Sequence, residues 1–291
     1  MSSQFLQYLF SGVTVGAIYA LAGLGFTIIY NASHVINFAQ GEFIMIGAMT
    51  TVSLTGLGVP LVVAVPLAVL VTMAVGVAVA RFAILPAREA SVVTLIIITI
   101  GVSMILRGTA QVLWGKGYHA LPSFSGDTPF VVAGAALLPQ SLWVLGCSVV
   151  VIAGLGWFFG RTLYGKAMLA TSCNRLAARL VGIEVSGVLL AAFGLAALLG
   201  AVGGIVMAPI TFTAADSGIM LGLKGFAAAA LGGLGNGAGA VLGGLILGIS
   251  EAMSAGYLSS SYKEATAFVI ILLVLFFRPN GLFGRAGAER V

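Results

Sequence analysis

Charge is what this sequence lacks most. Only 7% of its 291 residues are Asp, Glu, Lys or Arg, against roughly a quarter in soluble domains. A chain so poor in charge and 60% hydrophobic cannot cover itself with a polar surface, which excludes a soluble globular protein. Histidine is almost missing too. His34 and His119 stand far apart, with no HExxH or CxxC spacing beside them, so no metal centre is expected. The two cysteines read as packing residues rather than a disulfide. Cys147 falls in an apolar run and Cys173 in a basic loop, where they should not meet. No GxxxxGK[ST] stretch occurs, so the chain should not bind a nucleotide through a phosphate-binding loop of its own. An intramembrane protease would need a Gly-x-Ser-Gly nucleophile with a partner histidine, or paired aspartates. Asp127 and Asp216 both fall toward one outer face, which argues against that chemistry. The basic residues lie in loops rather than along an aromatic-studded face, which excludes nucleic acid as a partner. No basic stretch precedes the first apolar run, so no cleavable signal peptide is expected.

What the chain has instead is length of apolar run, with a mean hydropathy of +1.16. A helix crossing about 30 Å of hydrocarbon needs roughly 20 apolar residues. Runs of that kind cover residues 5–30, 60–82, 91–113, 139–160, 186–209, 238–257 and 262–277, and two shorter, glycine-rich pieces lie at 40–57 and 222–235. Lipid tolerates only backbone that is hydrogen-bonded internally. The runs are continuous rather than alternating, which excludes a β-barrel. The reading is an all-α integral membrane protein, one domain over residues 1–291. It has eight to nine transmembrane helices, the number depending on whether a short piece is re-entrant, and some of them are broken.

The few cations gather in three places: Arg81 with Arg88, the stretch RTLYGKAMLATSCNRLAARLVGIEV at 161–185, and Arg278, Arg285 and Arg290 after the last run. Nine crossings put all three groups on one face, and short loops rich in Lys and Arg stay cytoplasmic. A cytoplasmic C-terminus and an outer N-terminus are then expected, with Arg107 and Lys116 as exceptions near the outer face. Within 161–185, Asn174 can cap a short helix, RLAARLV, and Gly182 stands where a left-handed helix end would want glycine. Arg175 and Arg179, four apart, fall on one face of it. The loop is either a topology anchor or a charged knob offered to a cytoplasmic partner.

Glycine is abundant, at 41 residues. In lipid it lets helix backbones approach closely, because no hydrophobic force draws helices together there. Small residues recur four apart at Gly12–Gly16, and Gly235, Gly239, Gly243, Gly244 and Gly248 form a seam from 231 to 248. Close helix packing is the plain reading of that seam and a hinge the sharper one. A weak internal repeat is also visible. Residues 5–57 run as span, polar break and small-residue helix opening at Gly41-Glu42-Phe43. Residues 186–235 repeat the order, with Lys224-Gly225-Phe226 leading into AAAALGG. The two units point in opposite directions, an arrangement that places a transport site between broken helices.

Polar groups at membrane depth are few, and such residues face a protein interior or an aqueous path. Asn37, Gln40 and Glu42 lie in the first break, Asp216 and Lys224 in the second, and Glu251 in the span after the glycine seam. Glu42 at a helix start is accounted for by capping or by lining a substrate path. Arg107 either satisfies a buried carboxylate or snorkels to the outer interface, and snorkelling is the simpler account.

The stretch GAIYALAGLGFTIIYNASHVINFAQGEFIMIGA, residues 16–48, resembles the opening signature of branched-chain amino acid ABC transporter permeases. Residues 165–185, FAAAALGGLGNGAGAVLGGLILGISE at 226–251 and FRPNGLFG at 277–284 resemble further segments of the same family, most like its shorter, LivH-like subunit. The resemblance implies a bacterial inner-membrane importer subunit with no cofactor of its own, ATP being bound by partners. Those partners are a second homologous permease subunit, two cytoplasmic ATPase subunits, a periplasmic substrate-binding protein and the surrounding lipid. It makes Lys166, Asn174, Arg175, Arg179 and Gly182 the ATPase-coupling residues. Asn37, Gln40, Glu42, Phe43, Lys224, Phe226 and Glu251 become candidates for the translocation path. Ser172-Cys173-Asn174-Arg175 departs from the family's more acidic pattern there, which bears on the ATPase contacts rather than on the loop's role. The same architecture carrying urea or short amides, or an ion-coupled carrier using Glu42 or Glu251, are the alternatives.

Overall fold

The structure is a computed structural model and describes residues 2–284. It is a helical bundle in chain order: α1 (Ser2–Ser33), α2 (Gln40–Gly56), α3 (Leu61–Val79), which continues as a π-helical turn at Ala80–Ile84, and α4 (Val92–Trp114). A small hairpin follows, β1 (Phe130–Val132) with β2 (Ala135–Leu137). Then come α5 (Pro139–Arg161), α6 (Leu163–Cys173), α7 (Arg175–Leu180), α8 (Val185–Met207), α9 (Ser217–Gly232), α10 (Gly237–Tyr257) and α11 (Lys263–Phe277). Seven of the helices among the described residues are long and apolar enough to cross a membrane. The two remaining pieces of the expected set, α2 and α9, have 17 and 16 residues.

The second of these differs from expectation. The apolar pattern puts it at 222–235, but the helix begins five residues earlier and ends three earlier. Ser217 Oγ accepts from Ala214 N at 3.0 Å, which turns the chain into the first helical residue. Gly233 at φ +103° then ends the helix. Gly235, also at positive φ, is therefore a turn residue rather than the start of a packed helix face. The helix α6 and the hairpin have no counterpart in the expected set. Thr162 Oγ1 caps the former by accepting from Gly165 N, and Ala133 and Gly134 at positive φ make the tight turn of the latter. Arg285 and Arg290 lie outside the described residues.

The core is α1 and α8, which are largely buried, whereas α4, α5 and α11 keep apolar faces exposed. That contrast is the reverse of a water-soluble bundle and is what lipid as the solvent dictates. One end of the bundle carries the hairpin, where Gln7 near the start of α1 accepts from Ala136 N. The other collects the cations. Arg81 and Arg88 share a surface pocket with Ser186 at the start of α8, and Arg175 Nη2 donates to Ala32 O at the end of α1. Leu282, four residues past Arg278, donates to Leu231 O at the end of α9. The described members of all three basic groups thus share one face.

Glycines set the helix spacing. A β-carbon on Gly239 or Gly243 would overlap a carbonyl oxygen of α9, and one on Gly244 or Gly248 would overlap the backbone of α1 at Ala20 or Gly16. Backbone-to-backbone approach of this kind leaves no room for a larger side chain.

Candidate functional site

The chain folds back on itself twice, and the two returns meet. Helix α1 ends with Ser33 Oγ donating to Ile29 O and accepting from Val35 N, and His34 adopts φ +55°. The non-helical segment 34–39, which bends at its start and turns at Phe38–Ala39, then climbs back into the bundle. Gln40 lies against Gly25 of α1 and donates to Ala196 O of α8 at 2.9 Å. Gly25 is eight residues from the end of α1, so α2 starts about 12 Å inside the bundle. It runs from there toward the hairpin end. Helix α8, opposite in direction to α1, also runs from the basic end to the hairpin end, and after it residues 208–216 return inward. They are tied to the preceding loop by a reciprocal backbone pair, His119 with Thr213, at 2.8 Å each way. Helix α9 then starts beside the start of α2 and runs to the basic end. Non-helical backbone at this depth is tolerated only where protein encloses it, and Val35, Asn37, Ala39, Ala214 and Ala215 are indeed buried.

Three glycines let the two helix starts touch. A β-carbon on Gly41 would overlap the carbonyl oxygen of Gly218 and lie 2.9 Å from Gly222 Cα. Each helix start carries roughly half a positive charge, and both are aimed at the same small volume. Glu42, in the first turn of α2, is the counter-charge. Its Oε1 accepts from Ser103 Oγ of α4 at 2.8 Å. Its Oε2 points at Gly218, the second residue of α9, and is buried without a hydrogen-bond partner. Gln40 Oε1 and Asn37 Nδ2 are buried and unpartnered as well. A cleft of about 190 Å³ opens beside this cluster between α4 and α9, lined by Phe26, Phe38, Ser103, Met104, Arg107 and Leu223 among others. Phe226 stacks obliquely on both Phe26 and Phe38, at 5.8 and 5.9 Å.

The candidate path residues therefore separate into two groups. Asn37, Gln40, Glu42 and Phe226 surround the meeting point, and Phe43 is buried against Gly200. Lys224 and Glu251 lie apart from it, in a buried polar knot between α1, α9 and α10, which Glu264 of α11 also reaches at 3.8 Å from Lys224 Nζ. Lys224 Nζ is 3.1 and 3.2 Å from the two carboxylate oxygens of Glu251. Tyr19 donates to Glu251 Oε2 at 2.8 Å, and the Lys224 ammonium lies 5.4 Å from the Tyr19 ring centre. Both hydrogen bonds go to Oε2, whereas Oε1 meets the ammonium only as an ion pair and accepts no hydrogen bond. Ser103 and Arg107 are absent from the candidate path residues read from the sequence. The available signal was Thr99, Ser103 and Arg107 spaced four apart on α4, one polar helical face in a mostly apolar run.

At the basic end, Asn174 Oδ1 accepts from Ala177 N at 3.0 Å and caps α7. Gly182, at φ +87°, closes the helix, with its N donating to Arg179 O and Ile183 N to Ala178 O. The two arginines divide the work. Arg175 turns inward onto Ala32 O, tying α7 to the negative end of α1, while Arg179 and Lys166 remain exposed. Burial, and then the charge of Arg175, hold the neighbouring His34 imidazole below its ordinary pKa.

The chain is similar to known proteins in sequence and in fold. A family model described as "Branched-chain amino acid transport system / permease component" matches residues 8–277. The chain is 34% identical to the high-affinity branched-chain amino acid transport system permease protein LivH of Escherichia coli strain K12, over the full length of both. It is 33% identical to the corresponding permease protein BraD of Pseudomonas aeruginosa, covering 99% of this chain and 98% of the relative. Its fold is similar to a chain in the structure of PsaBC from Streptococcus pneumoniae in complex with Fab. The TM-score is 0.52 at 15% identity, with 96% and 97% of the two chains covered.

Proposed function

The chain belongs to the permease-component family of branched-chain amino acid transport systems, and from that premise we propose that it passes a branched-chain or related hydrophobic amino acid inward across a bacterial inner membrane, driven by ATP hydrolysed on separate subunits. As a family member it is a multi-pass membrane permease subunit, a role that calls for no catalytic centre of its own. The observation that carries the proposal is the meeting of the α2 and α9 starts at Glu42. Half-helices that begin inside the bundle aim their positive ends at a small volume, the arrangement in which transporters hold a charged substrate midway. Opposite run directions let that volume open to one side and then the other.

In this reading the basic face is cytoplasmic and so is the C-terminus. Helix α7, with Lys166, Asn174, Arg175, Arg179 and Gly182 around it, is the knob seated on an ATPase subunit. The glycine-spaced contacts of α10 with α1 and α9 let packed helices shift as rigid bodies. The exposed apolar faces of α4, α5 and α11 meet lipid and a second, related permease subunit, and the hairpin end receives a periplasmic binding protein. The test is uptake of radiolabelled leucine into proteoliposomes holding the whole transporter. Uptake is expected to require ATP inside and the loaded binding protein outside, and to ignore an uncoupler. Uptake that persists without ATP and collapses with an uncoupler would instead identify an ion-coupled carrier.

A further inference from the structure

Arg107 stands half-buried on α4, seven residues in from Trp114, or about 10 Å from the helix end. Among the described residues no carboxylate lies within 4.0 Å of it. An unpaired guanidinium at that depth is costly in lipid and is kept where it faces a path or a ligand. Here it faces the cleft between α4 and α9, whose other walls are almost wholly apolar. One turn deeper, Ser103 lines the same cleft and holds one oxygen of Glu42, leaving Oε2 buried and unpartnered. The cleft thus offers a cation near its mouth, a carboxylate behind its floor, and apolar side chains between them. Those three features match one chemical class, a small zwitterion with an apolar side chain.

Resting on the translocation reading above, we propose that Arg107 binds the substrate's carboxylate in a transient α-amino acid subsite. The ammonium group points toward Glu42, and the side chain lies against Phe26, Phe38, Met104 and Leu223. A guanidinium suits the task because its planar fork matches a carboxylate with two parallel hydrogen bonds, which an ammonium cannot do. Arg107 is then a specificity residue of the route. A neutral amide or urea would have no use for it.

The experiment uses the complete transporter in proteoliposomes and reads two quantities, leucine uptake and ATP hydrolysis stimulated by the loaded binding protein. Arg107→Gln is expected to keep stimulated hydrolysis and lose uptake at least tenfold, with Arg107→Lys recovering part of it. Arg107→Gln that imports at the wild-type rate overturns the proposal, and so does one that loses hydrolysis and uptake together. Should that variant fail to assemble, Leu223→Trp decides, because it fills the cleft while leaving every charged residue in place. Retained hydrolysis with at least a tenfold loss of uptake supports the subsite, and wild-type uptake refutes it. A wild-type transporter that imports no leucine with ATP would overturn the underlying reading and this one with it. Wild-type import alongside normal Arg107→Gln import would overturn the subsite alone.

Discussion

Gly41→Leu is expected to abolish amino acid uptake by the assembled transporter. The β-carbon of any other residue at 41 would overlap the Gly218 carbonyl and crowd Gly222 Cα at 2.9 Å, and both are backbone atoms. A side chain can swing aside, but here a whole helix start must move. Overpacking a well-filled interior costs about 1–3 kcal/mol even where side chains absorb it. Separating the starts of α2 and α9 also dissolves the place where their dipoles converge on Glu42. The expected result is loss of uptake to background with a lowered melting temperature in detergent. Gly154→Leu on α5 is the control, since a β-carbon there meets nothing within 4 Å and uptake should persist. Normal uptake in Gly41→Leu would show that the two helix starts are not held together during transport.

Charge reversal at α7 should have the second largest effect. Arg179 is exposed and free to meet an acidic groove on an ATPase subunit, whereas Arg175 is committed to Ala32 O. Their variants should therefore fail differently. Arg179→Glu should reduce uptake at least about tenfold, the equivalent of about 1.4 kcal/mol, and reduce co-purification of the ATPase, while the permease itself melts normally. Arg175→Ala removes a charge-assisted hydrogen bond worth about 1.5–3 kcal/mol and should lower the melting temperature as well as uptake. The double replacement by Glu should abolish uptake and leave the protein in the membrane. Normal uptake in that double variant would remove α7 from the coupling path.

How far the sequence revealed these features depended on how local the physics was. The long spans came out within a few residues because apolar length is set by membrane thickness and needs no partner. The cap at Asn174 and the left-handed close at Gly182 were legible for the same reason, since each is fixed by its nearest neighbours. The start of α9 was missed by five residues because Asp216, Ser217 and Gly218 have the composition of a loop. Only Ser217 Oγ, reaching back to Ala214, marks the turn. Glu42 stood out from its place after a polar break, but its partner Ser103 lies 61 residues away, and no short-range pattern joins them. Arg107 read as an interfacial residue for that reason. Its meaning depends on a cleft that exists only once α4 leans past α9. Lys224 and Glu251, 27 residues apart, were both noticeable as intramembrane charges, yet their mutual closure with Tyr19 became visible only in three dimensions.

The most direct test of the central claim, that the cleft where α2 and α9 begin is the transport route, is thiol labelling of Leu223→Cys. The background is the assembled transporter with Cys147 and Cys173 replaced by Ser, and the reagent is a small water-soluble maleimide applied from each side. The account predicts labelling from one side without nucleotide, and protection or labelling from the opposite side when ATP is trapped on the ATPase subunits. Equal labelling in both states, or none in either, would contradict it.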